Sequence, residues 1–168
     1  MPVGANAVGL ARAGALPTAR NAAQMLAQPR KAWVLYGIEP EHDFADTPTA
    51  LRALSQGRVV AFTAFADETT RNLAQVMLPI GLAPEIEASF TNADGLVQTT
   101  VAAAKLPGEA QAGWRALRAL GERMGVAGFD FIELAQWRER MTPGAAASGS
   151  ALAPRAAVSA QGLECVAT

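Results

Sequence analysis

The chain has 168 residues, of which 51% are hydrophobic and 17% are charged, and its formal net charge at pH 7 is −1. This length fits about one domain of ordinary size with a single apolar core. The near-zero net charge argues against a surface specialised for nucleic acid or for an anionic membrane. No apolar run approaches the roughly 20 residues of a membrane-spanning helix, and no secretory signal opens the sequence, so we expect a cytoplasmic protein without direct membrane insertion.

Cys165 is the only cysteine, which limits the metal and redox chemistry of the chain. One thiol cannot form a disulfide framework, a zinc site of thiolates or the four ligands of an iron–sulfur cluster. Cys165 lies in a tail rich in Ala, Ser and Gly, far along the chain from His42, the only histidine. We interpret it as an incidental cysteine, and we expect any electron-transfer centre to lie elsewhere.

The first predicted segment is a loop over residues 4–17, where glycines recur in an Ala-rich stretch that looks cut from something longer. Gly4 and Gly9 have the spacing of a phosphate loop. However, Leu10 and Ala11 follow where a lysine and a hydroxyl would be required, so no phosphate site is predicted. A short helix is predicted over residues 18–28, because Pro29 ends the pattern.

Strands and helices then alternate. The apolar run of residues 33–36 is typical of a parallel strand that is buried on both faces. The second helix is predicted to begin at Thr47, as its cap, and to end at Gly57 in a left-handed conformation. The apolar run of residues 59–62 forms the next strand. A strand, a helix and a strand of these lengths predict a right-handed crossover between parallel strands.

The unit repeats once. Asp67 is predicted to cap a short helix that runs to Ala74, and residues 76–78 form a brief third strand that Pro79 stops. The pattern indicates an α/β fold with part of a doubly wound parallel sheet and flanking helices.

A β-hairpin is predicted next, with residues 89–91 and 96–98 as its strands. The turn over residues 92–95 ends in Gly95, which suits a positive φ. Residues 109–124 predict a longer helix that docks on the sheet through Trp114, Leu117, Leu120 and Met124.

A last amphipathic helix is predicted over residues 129–141, with Phe131, Leu134 and Trp137 apolar. Residues 142–168 have no apolar period and are expected to be a disordered, low-complexity tail. The chain is thus divided into a domain of residues 1–141 and that tail.

Acidic side chains surround His42 in the loop after the first strand, namely Glu39, Glu41, Asp43 and Asp46. In an open α/β sheet, ligands bind outside the carboxyl ends of the strands, where this loop lies. The cluster would repel phosphate groups. Two carboxylates and His42 could in principle hold a metal ion, but a solvated acidic loop is the usual explanation, so no metal site and no catalytic residue is predicted.

Six motifs in register between Thr63 and Trp114 resemble the molybdopterin oxidoreductase superfamily, and within it the large iron–sulfur subunit of NADH:quinone oxidoreductase, respiratory complex I. They are Asp67-Glu68-Thr69-Thr70, Ala74-Gln75-Val76-Met77-Leu78-Pro79, Glu85, Ser89-Phe90-Thr91-Asn92-Ala93-Asp94-Gly95, Gly108-Glu109-Ala110 and Trp114. Upstream, Gly37-Ile38-Glu39-Pro40 resembles the family's turn, and the likeness covers residues 4–141. Three positions depart from the family pattern: Glu39 replaces an asparagine, Ala88 a glycine and Leu96 an arginine.

The resemblance is to the C-terminal part of that large subunit, and it implies a structural and assembly part of the peripheral arm of complex I, which carries electrons from NADH to quinone. It implies no cofactor in this chain and iron–sulfur clusters in the missing N-terminal part of the subunit. The expected partners are the remainder of the large subunit and other peripheral-arm subunits, with no nucleic acid, at the cytoplasmic face of the inner membrane. If a pterin were bound, Glu39, Asp67 and Asn92 would be the residues that contact it.

Two alternatives remain open at this stage. The chain could be a fragment of a true molybdopterin-dependent oxidoreductase, such as a formate dehydrogenase, but such enzymes continue into a C-terminal barrel where this chain has its tail. It could also be an independent small-molecule-binding α/β module, which would need a Gly-rich phosphate turn. The motif residues also have structural explanations: Asn92 as a turn residue, Trp114 as core and Asp67 as a helix cap.

Overall fold

The computed structural model describes residues 6–15 and 20–141. The predictions for the tail of residues 142–168, for Cys165 and for the helix start at Thr18 lie outside this part of the chain. The elements in chain order are α1 (Ala7–Arg12), α2 (Ala22–Ala27), β1 (Ala32–Tyr36), α3 (Thr47–Leu54), β2 (Arg58–Thr63), α4 (Glu68–Leu73), β3 (Val76–Pro79), a 3₁₀ turn (Ala83–Glu85), β4 (Ala88–Thr91), β5 (Val97–Thr100), α5 (Gly113–Arg123) and α6 (Leu134–Met141).

The predicted α/β architecture is confirmed. Strands β1, β2 and β3 form one sheet in that order, and both pairings are parallel. Strands β4 and β5 form the antiparallel hairpin, in which Gly95 has a φ of 85° as its turn requires. Within residues 6–15 and 20–141, no helix combines the length and the apolar character that crossing a membrane would need.

The beginning of the chain differs from the prediction. Residues Ala7–Arg12 form a helix and not a loop, because alanine, leucine and arginine favour helix strongly enough to tolerate Gly9 within it. Helix α2 starts at Ala22 and therefore later than predicted. Asn21 caps it by accepting a hydrogen bond from the Gln24 backbone N–H (2.9 Å), while the Gln24 side chain accepts one from the Asn21 N–H (3.0 Å).

Both ends of helix α3 differ from the prediction. Its N-cap is Asp46, whose carboxylate accepts from the Thr49 N–H at 3.0 Å, and Thr47 is already helical. The helix ends at Ser55 in a right-handed conformation, and Gly57 is not among the glycines with positive φ. Gly57 is needed for close approach instead, since a Cβ there would overlap the Arg30 carbonyl oxygen.

The apolar core lies on one face of the parallel sheet. Trp33, Leu35, Val59 and Ala61 point to this face and pack with Ala53 and Leu54 of α3. Helices α2 and α4 add the partly buried Met25, Leu26 and Leu73 to the same core.

The prediction that the first strand is buried on both faces is wrong. Val34 is 56% and Tyr36 is 42% exposed, and both side chains point away from the core. The reason is that α2, α3 and α4 all pack on the core face, and none of the described helices covers Val34 on the opposite face.

Helix α5 starts at Gly113, four residues after the predicted start. Residues just before it extend along β3, with the Gln111 N–H donating to Pro79 O (3.1 Å) and the Gly81 N–H to Gln111 O (2.9 Å). The helix meets the sheet at its first residue, since a Cβ on Gly113 would overlap the Tyr36 hydroxyl. The predicted apolar face is only partly buried, and Met124 is 68% exposed.

Helix α6 also begins later than predicted, at Leu134. Phe131 lies before the helix and is buried, with its ring 6.0 Å from the Trp114 ring and 5.5 Å from the Trp137 ring. This aromatic group joins α5 to α6. The Arg138 side chain links α6 to the hairpin region by donating to Ser89 Oγ (3.0 Å) and to Glu87 Oε2 (3.1 Å).

Candidate functional site

The carboxyl ends of the three parallel strands are the position where an open α/β sheet binds ligands. Strands β1, β2 and β3 end there at Tyr36, Thr63 and Pro79. We call the following loops, residues 37–46, 64–67 and 80–82, the carboxyl rim. Most of the polar residues that the sequence nominated lie on this rim.

The loop after β1 is held mainly by its own carboxylates. Its course is set by Pro40, which is fully buried. The Glu39 N–H donates to Asp43 Oδ2 at 2.7 Å, and the Asp43 N–H returns a bond to Glu39 O at 2.9 Å. Asp46 caps α3 as described above. Asp43 and Asp46 therefore stabilise the local backbone, which lowers their capacity to bind a ligand.

The turn after β2 is also held by hydrogen bonds between its own residues. The Thr63 hydroxyl donates to Phe65 O (2.7 Å) and accepts from the Phe65 N–H (3.1 Å). Further along the same loop, Asp67 caps α4 by accepting from the Thr70 N–H. The predicted cap is thereby confirmed, and the Thr63 hydroxyl is already satisfied within its own turn.

Hydrogen bonds and nearby charge keep two of these carboxylates ionised. The Thr70 backbone N–H lowers the pKa of Asp67 most, against the opposing effect of burial, and the charges of His42 and Arg71 lower it further. The pKa of Asp46 is lowered in the same way, first by hydrogen bonds to Thr49.

Asp67 and Thr70 also contain the least satisfied polar atoms of this region. Asp67 Oδ2 and Thr70 Oγ1 are both shielded from solvent and have no hydrogen-bond partner among the described residues. Thr70 itself is fully buried. Both atoms belong to the cap of α4. Because they are unpaired, they make the cap less stable, and they do not define an opening for a ligand.

Of the three residues predicted to contact a pterin, if one were bound, two lie on the carboxyl rim. Glu39 and Asp67 both lie on the carboxyl rim, whereas Asn92 lies in the turn between β4 and β5. Asn92 is engaged in closing that turn. Its N–H donates to Leu96 O (3.0 Å), its Oδ1 accepts from the Leu96 N–H (2.9 Å), and its O accepts from the Gly95 N–H (3.0 Å).

The residues of the rim do not fit a pterin dinucleotide. Such a ligand carries phosphates, which proteins hold with arginine, lysine or free backbone N–H groups. The rim sequences contain no arginine or lysine, and they present Glu39, Glu41, Asp43 and Asp67. These negative charges would repel phosphates at short range. Among the described residues, no group of three His, Cys, Asp or Glu side chains is placed to hold a metal ion.

Two concavities found in the described residues lie away from the rim. One, of about 240 Å³, is lined by Arg20, Gln24, Ala27 and Gln28. The other, of about 520 Å³, is lined by Asp130, Phe131, Gln136, Glu139 and Arg140. Both are open to solvent, and in the second Arg140 is already paired with Asp130 at 3.0 Å.

Sequence reasoning missed the residues that join distant parts of the fold. Asn6 Oδ1 accepts from the Thr91 N–H (2.8 Å) and Arg12 Nη1 donates to Gly95 O (2.8 Å), so both bind α1 to the hairpin. Arg138 was assigned no role, although it binds Glu87 and Ser89. Local periodicity carries no signal for such contacts, because the partners are separated by dozens of residues.

Comparison with known proteins shows that the chain matches a known family. The family model described as Molybdopterin oxidoreductase matches residues 1–123. A mitochondrial protein of Neurospora crassa, the 78 kDa subunit of NADH-ubiquinone oxidoreductase, is 32% identical over 114 residues, which cover 68% of this chain. The same match spans only 14% of the length of that relative. The resemblance drawn from the sequence motifs is confirmed.

Proposed function

This chain belongs to the molybdopterin oxidoreductase family, and from that membership we propose that it is a structural and assembly part of the peripheral arm of an NADH:quinone oxidoreductase. The carboxyl rim supports a role without chemistry of its own. The carboxylates of Asp43, Asp46 and Asp67 bind their own backbone, and the loops of the rim lack the cations that a pterin dinucleotide needs.

The family relative supports the choice of complex. The matched protein is named as a subunit of NADH-ubiquinone oxidoreductase, and this chain corresponds to a small part of it. We propose that the electron path runs through iron–sulfur clusters held by the part of the subunit outside this chain. In this proposal the chain contributes packing surface, and the arm lies at the cytoplasmic face of the inner membrane.

The first experiment asks whether the chain is present in the complex. An affinity-tagged chain, expressed in the cell that makes it, is used to purify NADH:quinone oxidoreductase, and NADH-dependent quinone reduction is measured. We expect the tag to co-purify with the complex. We expect deletion of the chain to lower the amount of assembled arm, with turnover per assembled complex unchanged. A tag that never co-purifies with the complex contradicts the proposal.

The second experiment tests the rim itself. Glu39→Gln and Asp67→Asn each remove one negative charge without changing side-chain size greatly. Because no chemistry is assigned to either residue, we expect both variants to assemble and to retain the turnover of the unmodified complex. Elemental mass spectrometry and pterin fluorescence of the purified chain provide the matching readout. Stoichiometric pterin would favour the alternative, a fragment of a molybdopterin-dependent oxidoreductase such as formate dehydrogenase.

A further inference from the structure

The face of the parallel sheet opposite the core is built from three rows of side chains. Partners in register lie on the same side of a sheet, and successive residues of a strand alternate between sides. The side opposite the core, here called the outer face, is therefore made of Ala32 and Arg58, of Val34, Val60 and Val76, and of Tyr36, Phe62 and Leu78.

The outer face is less exposed at its carboxyl end than in its middle, since Tyr36 is 42% and Leu78 is 37% exposed. Phe62 is fully buried in this row, with its ring centroid 5.9 Å from that of Tyr36, and Gly113, the first residue of α5, lies against the Tyr36 hydroxyl. The middle row is open, because Val34 is 56% and Val76 is 47% exposed. Among the described residues, α5 thus meets the last row at Tyr36 and leaves Val34 and Val76 exposed.

Physical chemistry favours a helix as the missing cover. Parallel sheets are generally covered on both faces, and the cover is almost always helical. A row of three valines makes a flat, β-branched surface that suits the apolar side of a helix. At the amino end of the face, Arg58 is exposed and makes no ion pair with any residue in the described part of the chain. A matching helix would therefore carry a carboxylate beside its apolar side.

We propose that the outer face binds an amphipathic, carboxylate-bearing helix from the part of the same subunit that lies outside this chain, a step that rests on the function proposed above. The helix would lie beside α5 over Val34, Val60 and Val76, with its carboxylate at Arg58. The match spans only 14% of the Neurospora protein, so that relative contains much more polypeptide than the matched region.

Charge decides against a second copy of this chain as the occupant. The outer face has one cation, Arg58, and no carboxylate among its eight residues. Two such faces packed together would leave both arginines without a partner and partly desolvated. A helix with an acidic residue satisfies the same arginine and buries the valine row.

The test measures access to the outer face before and after assembly. Val34→Cys is made in a Cys165→Ser background, and its rate of reaction with a maleimide is compared in the isolated chain and in the purified complex. Ser55→Cys, at the exposed end of α3 on the core side, is the matched control. We expect Val34→Cys to react at least tenfold more slowly in the complex and Ser55→Cys to change little.

A photo-crosslinking amino acid at position 34 identifies what covers the face. We expect mass spectrometry to find the crosslink on an amphipathic helix of the longer subunit. We expect Arg58→Glu to weaken retention of the chain in the complex at least tenfold, and Arg58→Lys to preserve it. A crosslink to a second copy, or a dimer of the isolated chain that Val34→Asp disrupts, would overturn the inference.

The outcomes separate the two proposals. If the chain co-purifies with the complex while Val34→Cys keeps its full reactivity, the outer-face inference fails and the structural role in the complex stands. If the chain does not co-purify at all, the structural role fails, and the inference that rests on it fails with it. Protection of Val34→Cys together with a crosslink to the longer subunit supports both.

Discussion

Asn6 accepts a hydrogen bond from the backbone N–H of Thr91 at 2.8 Å, across 85 residues of sequence. The bond attaches helix α1 to strand β4, at the end of the strand where the hairpin turn begins. Thr91 is 7% exposed, so its N–H has little access to water if the Asn6 carboxamide is removed. This contact makes helix α1 part of the fold.

Substitution of Asn6 by alanine is expected to lower the free energy of unfolding by about 1–3 kcal/mol, the cost of leaving a buried donor unpaired. Urea unfolding of the purified chain measures the loss, and hydrogen exchange at the Thr91 amide locates it. Asn6→Asp keeps an acceptor oxygen and is the matched control, which we expect to retain most of the stability. Unchanged exchange at Thr91 in Asn6→Ala would show that the bond does not hold α1 to the hairpin.

Gly57→Ala is expected to destabilise the protein although the backbone at Gly57 is not left-handed. The added Cβ would overlap Arg30 O and lie 2.9 Å from the Trp33 ring. Overpacking of this kind costs about 1–3 kcal/mol. The exposed neighbour serves as the control, since Gln56→Ala should change the free energy of unfolding by about 0.5 kcal/mol or less. Equal midpoints in urea for both variants would contradict the close contact.

Stability is expected to fall in acid, in part through Asp67. The folded-state pKa of Asp67 lies below its ordinary value of 3.8, first because the Thr70 N–H donates to the carboxylate. Its contribution is therefore present above the unfolded pKa and is lost as the pH falls through the folded pKa. Urea unfolding between about pH 5 and pH 2 measures this loss.

The variant Asp67→Asn isolates that contribution. Asparagine also caps helices, but it does not titrate, so the decline in stability with acid should be shallower than in the unmodified chain. Some decline remains, because the pKa values of Asp46 and Asp130 are lowered as well. If the free energy of unfolding declined equally with acid in the two proteins, the charge of Asp67 would not stabilise the fold.

Phe131→Ala is expected to separate α5 from α6. The Phe131 ring is 6% exposed and lies between Trp114 and Trp137, and removal of a buried phenylalanine costs about 3–5 kcal/mol. Near-ultraviolet circular dichroism of the two tryptophans should lose intensity together with the stability. Ile132→Ala is the matched control one residue away, because Ile132 is 72% exposed and its loss should have little effect. A similar loss in both variants would argue against the aromatic group as the joint.

The sequence predicted those features that depend on neighbouring residues. The apolar runs identified β1 and β2, the capping geometry of Asp67 was correct, and Gly95 was correctly assigned a positive φ. Each of these follows from a local preference that the fold did not override. The start of α5 was misplaced because Gln111 pairs with the end of β3, and the sequence pattern before Gly113 does not reveal such a partner.

The sequence predicted where the candidate site lies better than it predicted the contacts of its side chains. Glu39 and Asp67 lie on the carboxyl rim because parallel strands place their following loops at one edge. Asn92 was grouped with them by family resemblance, but its side chain closes the hairpin turn. The exposure of Val34 was also missed, since an apolar run alone does not show whether a second layer is present to cover it.

The strand order has a consequence for how the protein is made. Each parallel strand pairs with the one synthesised immediately before it, as β2 with β1 and β3 with β2. Chains emerge from the ribosome at about 5–20 residues per second, and pairings of short sequence separation form fastest. The sheet can therefore assemble in the order of translation, whereas attachment of α1 must wait until Thr91 has been released from the exit tunnel.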